Sequence, residues 1–504
     1  MQTPQWRTDL RERAKGSRPP SYINFRVLPD IEITGGDPLD QQEVLGLVLA
    51  LRDAPSIVLD PLLAQITQQA EPLSTRAFAN AVLDVWKKKN YRSNYKWMLY
   101  AQLLLRDGTP ISDLTDLIDK WMFGTSAERD RTALVLEVLR RMNTPASLTA
   151  LAQYAADERS PKTREAAVAH LTAAANLRGT SVKELEDRIV PRYGLDEEGK
   201  RTFSYGPRDF ELVLGEGFFP MLRDEDGKLH KSPPRSRKTD DSALVEQTRH
   251  TWKMLQEELK NGIRYHSKRH ERHMINRRTW FVRDWREYVL EHPFMRLFAR
   301  NLIWLYEVRP GHKEGAVQFH VGEDLSLSDI DDEPFDIPES GHVSIVHPLT
   351  LSADELHTWS NLFADYEKIS PFQQLDRERF DVEDFEHDTI YITHFARTTF
   401  SPRSLRTYFK YHGYDRGYSD SYLRRYYTKV FEGYGVRLDV ELDPGLQVGS
   451  YEGDVEQHIA TLSFRRVEER GIDWVSKEQL TLERVPDVLI NEALRDVAQI
   501  QNRA

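Results

Sequence analysis

The chain has 504 residues, 39% of them hydrophobic and 30% charged, with a formal net charge of −11. That length exceeds what one core organises and predicts two to four domains, while 10% aromatic content excludes a disordered chain. Cysteine is absent, which excludes disulfides, thiolate metal sites and a cysteine nucleophile. The acidic balance speaks against a protein coated in nucleic acid, but leaves room for a local basic groove.

Residues 1–36 are polar and punctuated by proline, and read as an N-terminal arm. They hold no apolar h-region, so no signal peptide is expected. The longest apolar run, near Val44–Leu51, is too short to span a bilayer, so no membrane contact is expected. With no cysteine, a reducing cytoplasm is the natural home. Residues 37–190 read as short helices joined by short turns, in the style of a HEAT-like helical array. In "AERDRTALVLEVLRRM", Leu134, Val138 and Met142 form a stripe with Val135 and Leu139 beside it. Pro145, Ser160 and Pro161 are start signals and Gly179 a stop. Residues 191–242 carry strand alternation (Phe210, Leu212, Leu214), a "DEDGK" turn and then the linker "SPPRSRKTDDS", and predict a small β-ribbon unit.

Residues 243–504 read as an α+β domain with a mostly antiparallel sheet, so the fold class is multi-domain, all-α followed by α+β. Residues 243–307 are expected to be helical, with Trp252, Leu255 and Leu259 on one face. Strands are expected in 316–350 and at 388–395, and helices at 352–366 and 402–412. Three alternating strands follow in "YLRRYYTKVF", "VRLDVEL" and "HIATLSFRRV", and a helix closes the chain at 487–500.

Several stretches invite a functional reading. In "HPLTLSADELHTWSNLFADYEKISPFQQL", Ser352 and Glu355 form a capping box, Leu351 and Leu356 a hydrophobic staple, and Leu356, Trp359, Phe363 and Tyr366 a helical stripe. These are structural roles. Gln373 and Gln374, if buried, would bridge backbone groups between elements. A catalytic role would require His347, Asp365 or Glu367, and Tyr366 to converge in one pocket. His266, His270 and His273 have spacing that can seat a metal, but Lys268, Arg269 and Arg272 oppose a cation, so no metal is expected and a solvated helix face is the plainer reading. Between 260 and 288 the cations, with Arg277 and Arg278 at their centre, interleave with Trp280, Phe281 and Trp285. Trp280 and Phe281 are expected to face the core. The acidic segment 323–339 is a natural counterpart for these cations. The strongest surface is "RSLRTYFKYHGYDRGYSDSYLRRYYTKVF", where Arg403, Arg406, Arg416, Arg424 and Arg425 sit among Tyr414, Tyr422 and Tyr427. Tyr and Arg are favoured interface anchors, and they also bind phosphate and stack on bases. On the strand, Tyr422, Arg424 and Tyr426 are expected on one side, and Arg425, Tyr427 and Lys429 on the other.

"YGLDEEGKRTFSYGPRDF", "RDEDGKLHKSPP", the 347–375 stretch, "YHGYDRGYSD", "LDPGLQVGSY" and "VPDVLINEALRDV" occur in this order over roughly residues 190–500. Together they resemble a bacterial family, domain of unknown function 4132, found C-terminal in proteins called molybdate-metabolism-regulator-like. The resemblance implies HEAT-like helices before the domain and neighbours such as MoxR-type ATPases. It brings no catalytic residues. Members often carry a nucleic-acid-binding WGR module, whose tripeptide is absent from this sequence. No phosphate loop, dinucleotide fingerprint or nucleophile elbow is present, so no cofactor is expected. The expectation is a non-enzymatic adaptor that docks protein partners. A nucleic-acid-binding regulator is the second reading and an enzyme with a pocket near His347 the third.

Overall fold

The computed structural model describes residues 4–54, 61–105, 111–157, 160–214, 218–381, 388–417, 419–420, 422–448, 455–467 and 475–502. The chain divides into two compact units, Met1–Leu212 with Leu222–Leu259, and Val213–Met221 with Lys260–Ala504.

The first unit opens with a seated helix where the sequence led us to expect an arm. In α1 (Gln5–Ala14), Trp6, Leu10 and Ala14 are buried at i, i+4 and i+8. Three such side chains suffice to dock a helix whose other residues are polar. Arg7 donates to both oxygens of the fully buried Glu43 on α2 (Gln41–Asp53), at 2.8 and 2.7 Å. The two helices meet at Gly46, where a Cβ would lie 2.1 Å from the Leu10 carbonyl oxygen, so only glycine fits.

Helices follow one another through α3 (Pro61–Gln69), α4 (Pro72–Lys88), a tighter 3-10 run at Ser93–Leu104, α5 (Ser112–Trp121), α6 (Ser126–Met142), α7 (Pro145–Ala155), α8 (Pro161–Leu177) and α9 (Val182–Arg188). Reciprocal capping boxes start α6 (Thr125 and Glu128), α7 (Thr144 and Ser147) and α9 (Ser181 and Glu184), satisfying donors that a helix start otherwise leaves open. On α6 the buried side chains are Thr132, Val135, Leu136, Val138 and Leu139, so the core face lies one position aside from the Leu134–Met142 stripe. Trp86 and Trp121 meet edge to face at 6.1 Å and form the aromatic centre of this region.

Between residues 202 and 230 a small sheet has the order β1 (Thr202–Ser204), β2 (Asp209–Leu214), β3 (Pro220–Asp224), β4 (Leu229–His230), with the expected "DEDGK" turn joining β3 to β4. Helix α10 (Ser242–Ile275) then contributes its first half to the first unit, through the buried Trp252, Leu255 and Leu259.

The second unit holds two antiparallel sheets. The stretch expected to be helix up to 307 is interrupted: β5 (Thr279–Phe281) precedes α11 (Val282–Trp285) and α12 (Arg296–Arg300), and β6 (Trp304–Glu307) follows them. With β7 (Val317–Val321), β8 (Leu327–Asp329) and β9 (His342–Ile345) they make a five-stranded sheet of order β5-β9-β6-β7-β8. Helix α13 (Ala353–Asp365) seats Trp359 and Phe363 on Ile303, Val346 and Leu351. Ser352 and Glu355 make the expected capping box. Gln374 is buried and bridges strand ends, accepting from Ile303 N at 3.0 Å and donating to Ile303 O and Val346 O at 3.1 and 2.9 Å. The 347–375 stretch is therefore mainly core.

The second sheet contains β10 (Thr399–Phe400), then, after α14 (Pro402–Tyr411), β11 (Asp415–Arg416), β12 (Ser419–Asp420), β13 (Leu423–Phe431), β14 (Val436–Gln447), β15 (Gln457–Val467) and β16 (Val475–Leu480). Its main path is β10-β15-β14-β13-β11, with β12 on β13 and β16 on β15. The strand expected at 388–395 is a single bridge from Ile392 to Leu462, because only Ile392 of that run is buried. Helix α15 (Asp487–Gln501) closes the chain. A helical N-terminal region thus precedes a region built on antiparallel sheets. No described helix is long and apolar enough to cross a membrane.

Candidate anion-binding face and the buried charges beside it

Helix α15 is amphipathic in an unusual sense, since Asn491, Glu492, Arg495 and Asp496 on it are all buried. Each is matched. Arg377 places Nε and one Nη 2.6 Å from the two oxygens of Glu492, and its other Nη 2.9 Å from Glu271 on α10. Arg495 adds a bond of 2.7 Å to Gln373. Three donors meet Asp496: the hydroxyls of Tyr408 and Tyr414, each at 2.7 Å, and Lys429 Nζ at 2.6 Å. Burial alone would raise the Glu492 carboxyl, but hydrogen bonds from Arg377 and His347 outweigh it and hold Glu492 well below the usual range. Buried charges persist only when paired in this way.

A few residues away the cations are not matched. Tyr427, on the same strand as Lys429, is 5% exposed and stacks on Phe409 of α14 at 4.4 Å. Its hydroxyl is a meeting point. Arg416 lies directly opposite it across the β11–β13 pairing. Arg406 sits one turn before Phe409 on α14, with one Nη donating to Gln447 O at 3.0 Å. Arg424 comes within hydrogen-bonding reach of the Tyr427 hydroxyl. The strand register shifts between Arg424 and Tyr426, so strict alternation ends there and Arg424 joins the side of Tyr427. Burial pushes the Tyr427 hydroxyl up in pKa, and the guanidiniums of Arg406, Arg424 and Arg416 pull it down. Among the described residues no carboxylate forms an ion pair with Arg416 or Arg424, and Arg424 Nε is buried without a hydrogen-bond partner. Arginines grouped about one tyrosine from three elements, two of them lacking a counter-charge among the described residues, suit a carboxylate or phosphate supplied from outside.

The other residues singled out in the sequence fall elsewhere. Arg403 and Arg425 are exposed near this face, and Tyr422 is 81% exposed. Tyr414 is buried on Asp496 and leaves the surface altogether. Arg277, in a left-handed turn with φ 50°, lies over the Tyr434 ring at 5.8 Å, and Arg278 lies over Trp280 at 5.7 Å. Those positions adjoin the Phe431 end of β13. Seven strand residues, about 20 Å, separate them from Arg424. The two basic segments do not make one patch. Trp280 is in the core as expected and Trp285 is buried as well, but Phe281, expected to face the core, is 62% exposed and rests against His342 at 4.8 Å. In the acidic segment 323–339, Asp324 and Asp332 contact the local groups Ser326, His320 and Tyr366, not the 260–288 cations.

The histidine stretch also needs correction. His266 and His270 are 1% exposed, so they are core and not a solvated face; His270 stacks on Phe298 at 5.1 Å. Among the described residues no group of three metal-ligating side chains comes together. The pocket of His347, Asp365 and Tyr366 does not form. His347 is buried, with Nε2 on Glu492 at 3.2 Å and Nδ1 accepting from Leu349 N at 3.3 Å. Asp365 is exposed, and Tyr366 turns its hydroxyl to Asp332 at 2.7 Å. Sequence reading missed Arg377, Glu492, Arg495 and Asp496. The one signal was the run of polar residues at core spacing in "INEALRDV".

Residues 227–414 match the model of a family described as a domain of unknown function (DUF4132). That range is narrower than the 190–500 span over which the sequence resembles the family; it contains the 347–375 landmark whole, and leaves "LDPGLQVGSY" and "VPDVLINEALRDV" outside. The chain is also similar to the uncharacterized protein YehI of Escherichia coli (strain K12), with 29% identity over 406 residues, covering 80% of this chain and 32% of that protein. The chain thus spans about a third of the length of this relative. No solved structure matches.

Proposed function

We propose that this chain is an adaptor that docks an acidic segment of a protein partner on the face formed by Arg406, Arg416 and Arg424. The observation that carries this reading is the grouping of Arg416, opposite Tyr427 on β11, with Arg424 on the same strand as Tyr427 and Arg406 on α14, with no carboxylate paired to Arg416 or Arg424 among the described residues. Tyr422 and Arg425, exposed beside it, supply the aromatic and cationic rim that interfaces favour. Successive contacts from α5 through α8 support a HEAT-like array as a second docking surface, the arrangement expected of a cytoplasmic scaffold.

A nucleic-acid partner fits less well. A strand of bases needs open aromatic platforms along a continuous cationic track. Trp280, Trp285, Tyr414 and Tyr427 are buried, and the open rings, such as Phe281 and Tyr422, belong to basic segments that are separated along β13. The compact arginine group instead suits a point anion. The test is fluorescence anisotropy with a labelled acidic peptide and with a labelled oligonucleotide of equal charge, using wild type and Arg416→Glu/Arg424→Glu. The adaptor reading expects the peptide to bind wild type more tightly than the oligonucleotide, and its binding to weaken at least tenfold in the variant. Oligonucleotide binding that exceeds peptide binding, with a steep salt dependence, would transfer the face to the regulator reading.

A further inference from the structure

A separate constellation lies at the far end of α13. His320 comes from β7, Asp332 from the turn after β8, and Tyr366 and Lys368 from the chain leaving α13. Glu367 takes a left-handed conformation with φ 50°, and Lys368 N bonds back to Phe363 O at 2.9 Å. This helix end reverses the chain and lays the Lys368 side chain over the rings of Phe363 and Tyr366, with Nζ 5.4 and 5.6 Å from their centres. Nζ then reaches His320 Nδ1 and Val321 O, each at 2.7 Å. His320 Nε2 faces Asp332 Oδ1 at 3.3 Å, and the Tyr366 hydroxyl donates to the other Asp332 oxygen at 2.7 Å. Asp332 is itself left-handed, with φ 61°. Two non-glycine residues in that region within one side-chain cluster are a cost that the surrounding contacts must offset.

The hydrogen-bond inventory fixes the roles. A lysine nitrogen donates, so His320 Nδ1 must accept, and the imidazole proton resides on Nε2 facing Asp332. Nucleophile, base and orienting carboxylate stand in the order that activated nucleophiles require. Two of the Nζ positions are engaged by His320 and Val321. When the third proton leaves, the lone pair takes its place.

We infer that Lys368 is a nucleophilic amine that condenses with small aldehydes and 2-oxo acids to form an imine, with His320 as proton acceptor and Asp332 as its positioning residue. The amine lone pair attacks the carbonyl carbon, a C–N bond forms, and the carbonyl π pair moves to oxygen, which takes a proton. Nζ gives a proton to His320 Nδ1. The carbinolamine then loses its hydroxyl with a proton as water, and the nitrogen lone pair closes the C=N bond. Amine and carbonyl become imine and water, with no change of oxidation state. Burial pushes the Lys368 amine down to about 8, helped by Arg300 and opposed by Asp332 and Glu323. Burial and the Lys368 charge together lower His320, keeping it neutral and able to accept. The nearby Arg300 favours carbonyl compounds that carry a carboxylate.

The experiment is brief exposure of the full chain to glyoxylate with cyanoborohydride, which reduces the imine to a stable secondary amine, followed by peptide mass spectrometry across pH. Lys368 is expected to be modified roughly tenfold or more faster at pH 7.5 than the exposed Lys313, since a larger fraction of it is free amine. Its rate should level off above a midpoint near 8. His320→Gln should slow Lys368 at pH 7.5 and leave Lys313 unchanged, with folding checked by circular dichroism. Lys368→Arg keeps the charge and serves as the blank for that peptide. Modification of Lys368 no faster than Lys313, or a Lys368 rate that is the same in His320→Gln, overturns the proposal.

Discussion

Two groups of charges in the second unit meet the same strand and behave oppositely. Lys429 of β13 turns to Asp496, and on α15 both carboxylate oxygens of Glu492 and of Asp496 have donors. Arg424, five residues earlier on that strand, has no such partner among the described residues, nor does Arg416, which faces Tyr427 from β11. The difference teaches how to sort charge by role. A buried ion with a complete set of partners holds elements together, while a convergent set of like charges carries a repulsion that folding alone does not explain.

Breaking the matched group has the largest expected effect. Glu492→Gln or Arg377→Ala leaves the opposite charge buried and should cost about 3–5 kcal/mol in urea unfolding. The same network sets an acid limit. The Glu492 carboxyl lies lower in the folded than in the unfolded chain. Its stabilisation is therefore complete above the ordinary glutamate range and is lost as pH falls through and below that range. In Glu492→Gln that segment of the stability–pH curve should flatten.

Glu258 sharpens the comparison from the first unit, because its match is poor. Burial raises its carboxyl to about 7, and a hydrogen bond from the Ile111 backbone, with the charges of Arg76 and Arg201, only partly opposes this. Between the ordinary glutamate range and about 7 the folded chain binds the extra proton, so Glu258 makes stability fall as pH rises through that window. Glu258→Gln should remove the fall and stabilise the protein at pH 8 by on the order of 2 kcal/mol, read from thermal unfolding at pH 5 and 8. A smaller effect is expected at the capping box of α13. Ser352→Ala should cost about 1 kcal/mol at any pH where Glu355 is ionised.

Much of the fold was legible because local chemistry wrote it. The capping box at Ser352 and the alternation of the three long strands need no distant partner. Gln374 was legible too, since a buried amide in a turn has few other uses. What was not legible depended on contacts far along the chain. Glu492 and Asp496 look like the polar side of a surface helix until Arg377 and Lys429 are brought to them, 115 and 67 residues away. The Arg/Tyr face was half legible. Arg406, Arg416 and Arg424 stood among the arginines singled out there, but a shift in strand register put Arg424 with Tyr427, and Tyr414 went to the core. Lys368 gave no signal, because its character comes from His320 on a strand 48 residues earlier.

The most direct measurement is the stability of wild type and Arg416→Ala/Arg424→Ala, by urea unfolding, with and without a saturating acidic peptide. If these guanidiniums serve a partner, the variant will unfold within about 0.5 kcal/mol of wild type, or later, when no peptide is present. The peptide will then stabilise wild type and leave the variant unchanged. A variant that loses several kcal/mol without peptide, and is stabilised by the peptide as much as wild type, would contradict the account and place these arginines with the structural charges of α15.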